Sequence, residues 1–137
     1  MLFCWKVRQG LKKQVAIDRI CKYVQYFWLH HLQLHFQKEE RILFSLLKDR
    51  QVMKAIREHK TIRQRVEELI KYSDRSLRLQ LSELADLVYE HVRFEERSLF
   101  PHLERQLSQE QMQEISKNVE KHRVLLDQYE DQFWNSK

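Results

Sequence analysis

The amino-acid sequence predicts an all-α protein, and three observations carry that prediction. The chain of 137 residues contains only 1 Gly and 1 Pro, so it offers little material for hairpins or long loops. The helix formers Leu, Gln, Glu, Lys and Arg dominate its composition. Its apolar residues recur three and four positions apart, as they do along one face of a helix. Because this length suits a single domain, we expect residues 1–137 to form one helical bundle.

Two helices are expected in the first third of the chain. The first is predicted to run from the N-terminus to about Arg8, with Gly10 as its C-terminal stop. The second is predicted over residues 16–47. Its apolar stripe includes Phe27 and Leu34.

Three further helices are expected in the rest of the chain. The third is predicted over residues 51–72, and the fourth over residues 77–106. Because Pro101 lacks a backbone donor, we expect the fourth helix to kink or end close to it. The fifth helix is predicted to begin at Ser108, where the letters S-Q-E-Q form a capping box, and to reach about Trp134.

Charge and cysteine content indicate a cytoplasmic protein that binds neither nucleic acid nor membrane. The net charge is +5, but basic and acidic residues are interleaved and no Lys/Arg cluster is present. Cys4 and Cys21 stand in isolated contexts, which is typical of reduced thiols in the cytosol. No apolar run approaches the roughly 20 residues that span a bilayer. The N-terminal letters also lack the pattern of a secretory signal.

Two segments of the chain are near-copies of each other. Residues 35–47 and 91–103 both fit H-x-x-x-E-E-R-x-L-F-x-x-L and match at 7 of 13 positions. Each copy places a histidine four residues before a glutamate. On an α-helix, four residues turn the chain by about 400°, so the two side chains point in the same direction, one turn apart.

Five polar side chains are expected to point into the bundle from three helices. Buried imidazoles and carboxylates are costly unless they are paired or bound to metal. One interpretation is therefore buried polar pairs that satisfy one another across the bundle. The alternative, favoured by the repeat, is a metal site, because facing helices are a recurrent place for di-iron and di-manganese centres. A set of histidines and carboxylates suits iron, with manganese or zinc as alternatives. The five residues are His35, Glu39, His59, His91 and Glu95.

The order of these residues resembles the hemerythrin-like, or HHE, cation-binding family. The matching letters are the two H-x-x-x-E-E segments, the intervening Glu58-His59, and the Leu99-Phe100-Pro101 that follows the second copy. The resemblance implies an up-down four-helix bundle around a non-haem di-iron centre, here with an additional C-terminal helix. It also implies that the five inward residues are metal ligands, and that Glu39 and Glu95 bridge the irons.

One departure from that family concerns its first helix, which supplies a further histidine ligand. The present sequence has no histidine before His30, and its first helix is expected to be truncated. Either the recorded start lies downstream of the true one or this ligand has been lost, and in both cases one iron has fewer ligands than usual. His31 and His122 are the candidate substitutes, although for His31 the favoured role is to contact a metal ligand or to pack in the core.

Two more glutamates, Glu40 and Glu96, follow the inward glutamates of the two copies. They are candidates for orienting the metal ligands, but the default interpretation is a surface charge paired with a nearby Lys or Arg.

The resemblance implies a protein that binds or responds to O₂, NO or peroxide, or that handles iron. Two alternatives stay open. The first is a di-iron enzyme of the peroxidase, oxidase or NO-reducing type. The second is a metal-free helical interaction module whose site has decayed. The oligomeric state is left open by the sequence.

Overall fold

The fold is a bundle of helices. The computed structural model describes residues 2–69, 74–114, 117 and 128–136, and within these ranges every regular segment is helical. The prediction of an all-α fold is therefore confirmed. The elements are α1 (Leu2–Lys12), α2 (Ile17–Phe27), a π-helical turn π1 (Trp28–Leu32), α3 (Gln33–Leu46), α4 (Arg50–Glu68), α5 (Asp74–Phe94), a second π-helical turn π2 (Glu95–Leu99) and α6 (Phe100–Gln106).

The second predicted helix exists, but it contains a wide turn that changes which residues face inward. α2, π1 and α3 follow one another without a break, because the residues at their junctions keep helical backbone angles. A π-helical turn holds more residues than an α-helical turn. It therefore keeps Trp28, Leu32 and Phe36, each four residues apart, on the buried face. The prediction that Leu34 faces inward is wrong, since its side chain is 43% exposed.

The helix of the second repeat copy also contains a wide turn. α5, π2 and α6 run on continuously, and the Phe100 N–H is bonded to the Glu95 carbonyl, five residues back. Of the kink or early end expected at Pro101, the early end is not observed, because α6 continues to Gln106, the predicted end of the fourth helix. Pro101 has no N–H to donate, so the turn before it can widen without the loss of a hydrogen bond from that residue.

The first helix extends past the predicted stop at Gly10. α1 continues to Lys12, and Gly10 lies inside it as a packing residue. A Cβ atom there would lie 2.7 Å from Cε2 of Phe133, so only glycine allows this close approach. The helix ends instead in a Schellman motif, with Gln14 in the left-handed region (φ 55°) and the Val15 N–H bonded to the Gly10 carbonyl.

The C-terminal part of the chain begins as predicted and ends differently. The capping box is confirmed, because Ser108 and Gln111 exchange hydrogen bonds between side chain and backbone, and helical residues 109–114 follow. The prediction that this helix reaches Trp134 is wrong, since residues 128–132 are not helical and Phe133–Asn135 form a 3₁₀ turn. His122 and the expected end of the third helix at residue 72 lie outside the described residues.

This C-terminal segment is fastened to the first two helices. Arg19 donates two hydrogen bonds to the Asp131 carboxylate, and Lys13 Nζ donates to the Trp134 carbonyl oxygen. The ammonium of buried Lys6 lies 4.1 Å from the centre of the Trp134 ring, in a cation–π contact. The segment therefore closes the bundle beside α1.

The apolar interior of the described chain is divided into two clusters. The larger one, which we call the upper core, joins α1, α2, the second half of α4 and the first half of α5. The smaller one, the lower core, is built on four buried side chains of α4, π2 and α6: Val52, Ala55, Leu99 and Leu103. The polar residues singled out by the repeat lie between the two cores.

Candidate metal centre

Four of the five inward residues form one compact polar cluster between the upper and lower cores. We call it the inner quartet: Glu39 from α3, His59 from α4, His91 from α5 and Glu95 from the start of π2. All four side chains are buried, and one ligand atom from each lies within 4.8 Å of the others. The two H-x-x-x-E copies therefore face each other, with α4 contributing the fourth group.

Four of the six separations between donor atoms of the quartet are as short as those between ligands of a single ion. Nε2 of His59 lies 3.1 Å from Nε2 of His91, 3.5 Å from Oε2 of Glu39 and 3.7 Å from Oε1 of Glu95. Nε2 of His91 lies 2.8 Å from the same Glu95 oxygen. Two donors that bind one ion at about 2.1 Å are at most about 4.2 Å apart. These four separations are all within that limit.

The outward nitrogens of both histidines are bonded to further carboxylates. Nδ1 of His59 lies 3.2 Å from Oε1 of Glu40, and Nδ1 of His91 lies 2.9 Å from Oε1 of Glu58. A carboxylate only accepts hydrogen bonds, so each Nδ1 carries a proton and donates it. In the neutral imidazole the Nε2 lone pair then points into the quartet, which is the arrangement found in carboxylate–histidine–metal sites.

Burial and neighbouring charges shift the pKa values of the quartet in opposite directions. Burial disfavours the imidazolium form of His59, but the neighbouring carboxylates of Glu39 and Glu40 outweigh it and raise the pKa of His59 to about 10. The same opposition raises the pKa of His91 to about 9. Burial by itself would raise the pKa of Glu39, yet the neighbouring imidazoles hold that pKa well below its usual range. Protons and a metal ion would therefore compete for the same Nε2 atoms.

The carboxylate oxygens of the quartet test whether the site fits a cation. Both oxygens of Glu39 and Oε1 of Glu95 are buried, and none of them receives a hydrogen bond of acceptable geometry, although imidazole nitrogens lie at ion-pair distances. Buried carboxylate oxygens without a donor are costly. They become favourable as ligands of a cation, so the donor set fits a metal ion such as iron.

His35, the fifth predicted ligand, lies at the edge of the quartet. Its Nε2 contacts Oε1 of Glu39, the oxygen that does not face His59. The His35 side chain is 20% exposed, compared with 2% for His91, its equivalent in the second copy. The two histidines of the repeat therefore occupy different environments.

The remaining described histidines lie away from the quartet. The His31 ring packs against the rings of Tyr26 and Phe27, which agrees with a packing role. His30 is exposed and lies over Tyr26. His102 contacts the carboxylate of Asp49, the residue that caps the N-terminus of α4.

Of the two outer partners of the site, Glu58 was not identified from the sequence and Glu40 was only one of two candidates. Glu58 was noted only as the neighbour of His59, although a residue one position away lies about 100° around the helix and faces the next helix instead. For Glu40, the default interpretation as a surface charge is wrong, since it contacts His59. That same 100° offset is the signal that would have indicated both contacts.

An aromatic ring and a cleft border the quartet on the side of α4. The Phe36 ring stacks on the His59 imidazole with centroids 3.8 Å apart and an interplanar angle of 7°. Beyond them a cleft of about 330 Å³ opens between α3 and α4. Its lining includes Trp28, Phe36, Glu40, His59 and Lys60. The cleft gives the His59 side of the site an approach from outside.

Comparison with known proteins defines the class to which this bundle belongs. The model of the hemerythrin HHE cation-binding domain matches residues 7–103 and, in a second alignment, residues 56–135. The chain belongs to the hemerythrin HHE cation-binding family. Searches among curated proteins and among solved structures gave no significant match. Within the described residues, no helix has the length and apolar character needed to cross a membrane.

Proposed function

We propose that this chain is a non-haem di-iron protein of the hemerythrin type that binds or responds to O₂, NO or peroxide. One observation carries the proposal: two imidazole nitrogens and two carboxylates from three helices converge on one buried point, and three of the carboxylate oxygens receive no suitable hydrogen bond. Family membership adds that such a domain binds cations. Iron is the metal that this donor set favours, with manganese and zinc as chemical alternatives.

The described residues would hold the two ions unequally. His59, His91, Glu39 and Glu95 would hold the first ion, because their donor atoms already surround one point. His35 would bind the second ion, with Glu39 and Glu95 bridging the two. The second ion would thus have one imidazole from the described residues, and that imidazole is partly exposed.

The protein's own residues would keep bulk water away from this centre and admit small molecules. Bound iron with an open coordination position supplies the ability to bind O₂, NO or peroxide. The upper and lower cores enclose the quartet from two sides, and Phe36 covers the face of His59. The cleft lined by Trp28 and Glu40 leads to that same region and is wide enough for a diatomic molecule.

Anaerobic loading with Fe²⁺ tests this function. The expected result is a protein that retains close to two irons per chain after removal of excess metal and that forms a spectroscopically visible adduct with NO. Reversible O₂ binding would then indicate a carrier or sensor, while sustained consumption of O₂, NO or peroxide would indicate an enzyme. Retention of no iron would overturn the proposal and favour a metal-free interaction module.

We further propose that the protein works in the cytosol. Cys4 is buried, and burial raises the pKa of its thiol to about 11, which leaves it unreactive. No disulfide links Cys4 to Cys21. Fractionation of cells that produce the protein should recover it with cytosolic markers, and recovery with the secreted fraction would contradict this placement.

A further inference from the structure

The outer carboxylates of the site differ between the two repeat copies. Glu40 and Glu96 are equivalent in sequence, since each directly follows the inward glutamate of its copy. Glu40 is half-buried and meets the His59 ring, whereas Glu96 is exposed. His91 takes its outer partner from another helix, because Glu58 of α4 reaches Nδ1 of His91.

α4 therefore connects the two copies through two crossed contacts. In the first contact, His59 of α4 donates its Nδ1–H to Glu40 of the first copy. In the second contact, His91 of the second copy donates its Nδ1–H to Glu58 of α4. Glu58 and His59 are adjacent, so their side chains point about 100° apart and can serve two different neighbours. α3 thus orients the imidazole of α4, and α4 orients the imidazole of α5.

Nε2 of each ring meets an inner carboxylate, and the contacts at Nδ1 hold each ring in that orientation from the other side. The two Nε2 atoms lie 3.1 Å apart, a hydrogen-bond distance at which at least one of them carries a proton in the metal-free protein. A ring that rotated by half a turn about its Cβ–Cγ bond would exchange Nε2 with Cε1 and Nδ1 with Cδ2, so a carbon atom would take the inward place of Nε2. Nδ1–H bonds of 3.2 Å and 2.9 Å to carboxylates oppose that rotation.

We propose that Glu40 and Glu58 are positioning residues, which hold the His59 and His91 rings with Nε2 turned toward the metal position. The proposal rests on the proposed function for the identity of the site, but the orientation of the rings is a property of the protein itself. Both carboxylates are suited to this role by their location, since Glu58 is 29% and Glu40 34% exposed while the imidazoles they hold are 2% exposed. The charges therefore stay hydrated at the edge of the bundle.

Titration with Co²⁺ measures the effect on metal binding. Glu40→Ala and Glu58→Ala are each expected to weaken Co²⁺ binding by roughly 10–100-fold, the usual effect of removing an outer partner of a ligating histidine. Glu40→Gln keeps an acceptor oxygen and should recover most of the affinity. Glu96→Ala is the matched control and should bind as the unaltered protein does. Equal affinities of Glu40→Ala and Glu96→Ala would overturn the proposal.

Nuclear magnetic resonance of the metal-free protein separates this inference from the proposed function. The Nδ1–H signals of His59 and His91 should exchange slowly with water, and Glu40→Ala should abolish the protection of His59 alone. Absence of protection in the unaltered protein would overturn the positioning role. Protected signals in a protein that binds no Co²⁺ or Fe²⁺ would instead retain the positioning role and contradict the metal function. Circular dichroism of each variant checks that the bundle is folded.

Discussion

The two copies of the repeat have the same letters at seven positions but do different things in the folded chain. In the second copy, His91 and Glu95 both lie inside the quartet, and their imidazole and carboxylate are 2.8 Å apart. In the first copy, only Glu39 belongs to the quartet, while His35 lies outside it and is partly exposed. The first copy also supplies Glu40, whose carboxylate contacts the His59 ring on α4.

Both copies pack against α4, and the difference follows from the side of each copy that α4 contacts. α3 runs beside α4, so the residue next to Glu39 finds the His59 ring within reach. The residue next to Glu95 faces solvent, and Glu58 takes its place as the outer partner of the second copy. The comparison shows that a sequence repeat fixes which side chains point inward, while the packing of a third helix decides what each of them contacts.

The largest effect is expected from the glutamates, for which the two copies are equivalent. Glu39→Ala and Glu95→Ala should each lose all bound metal, because in the proposed centre each of these carboxylates would help to hold both ions. Elemental analysis of the purified variants measures this. Full metal content in both variants, together with a loss in His30→Ala, would show that the inward face has been assigned wrongly.

The next effect separates the copies through their histidines. His91→Ala should weaken binding of the first metal equivalent by more than the roughly 10–100-fold that an outer partner contributes. His59→Ala should behave in the same way, since its ring belongs to the same quartet. His35→Ala should leave the first equivalent in place and weaken only the second. A stepwise Fe²⁺ titration distinguishes these patterns. Identical losses in His35→Ala and His91→Ala would contradict the proposal that the two ions are held unequally.

Metal should also stabilise the folded bundle. A ligand that binds only the native state stabilises it by about 2.7 kcal/mol at a free concentration one hundred times its dissociation constant. The melting temperature should therefore rise by several degrees on loading, as differential scanning calorimetry can measure. Glu95→Ala, which lacks the bridge, should show no comparable rise. Equal melting temperatures of loaded and chelated protein would argue against a preformed internal site.

The smallest effects are expected from the histidines that flank the copies. His30→Ala and His102→Ala should leave the metal content unchanged, because both rings lie away from the quartet. His102→Ala should still cost about 1 kcal/mol of unfolding free energy, since it removes the partner of the Asp49 cap. Chemical denaturation measures that loss, and a drop in bound metal in either variant would place these histidines nearer the site than the structure does.

Much of the fold could be predicted from the sequence because helices depend on local patterns. The scarcity of Gly and Pro predicted an all-α chain, and the S-Q-E-Q box located the start of the last helix. The two π-helical turns could not be predicted, since they depend on packing between helices and not on local propensity. They account for the exposed Leu34 and for the continuation of the helix past Pro101.

The inward residues of the site could also be predicted, while their partners could not. A spacing of four residues brings His91 and Glu95 to one face, which needs no knowledge of other helices. The contacts of Glu40 and Glu58 depend on the order in which helices lie side by side. The packing of Gly10 against Phe133 is of the same kind, because it joins the two ends of the described chain.

The iron content of the unaltered protein tests the central claim most directly. Protein produced in cells with ample iron and purified without chelators should carry iron in a stoichiometric amount, up to two per chain, with absorption in the near ultraviolet typical of oxo-bridged ferric ions. Elemental analysis that finds neither iron nor another transition metal in stoichiometric amount would contradict the account, and the inner quartet would then be a set of buried polar pairs.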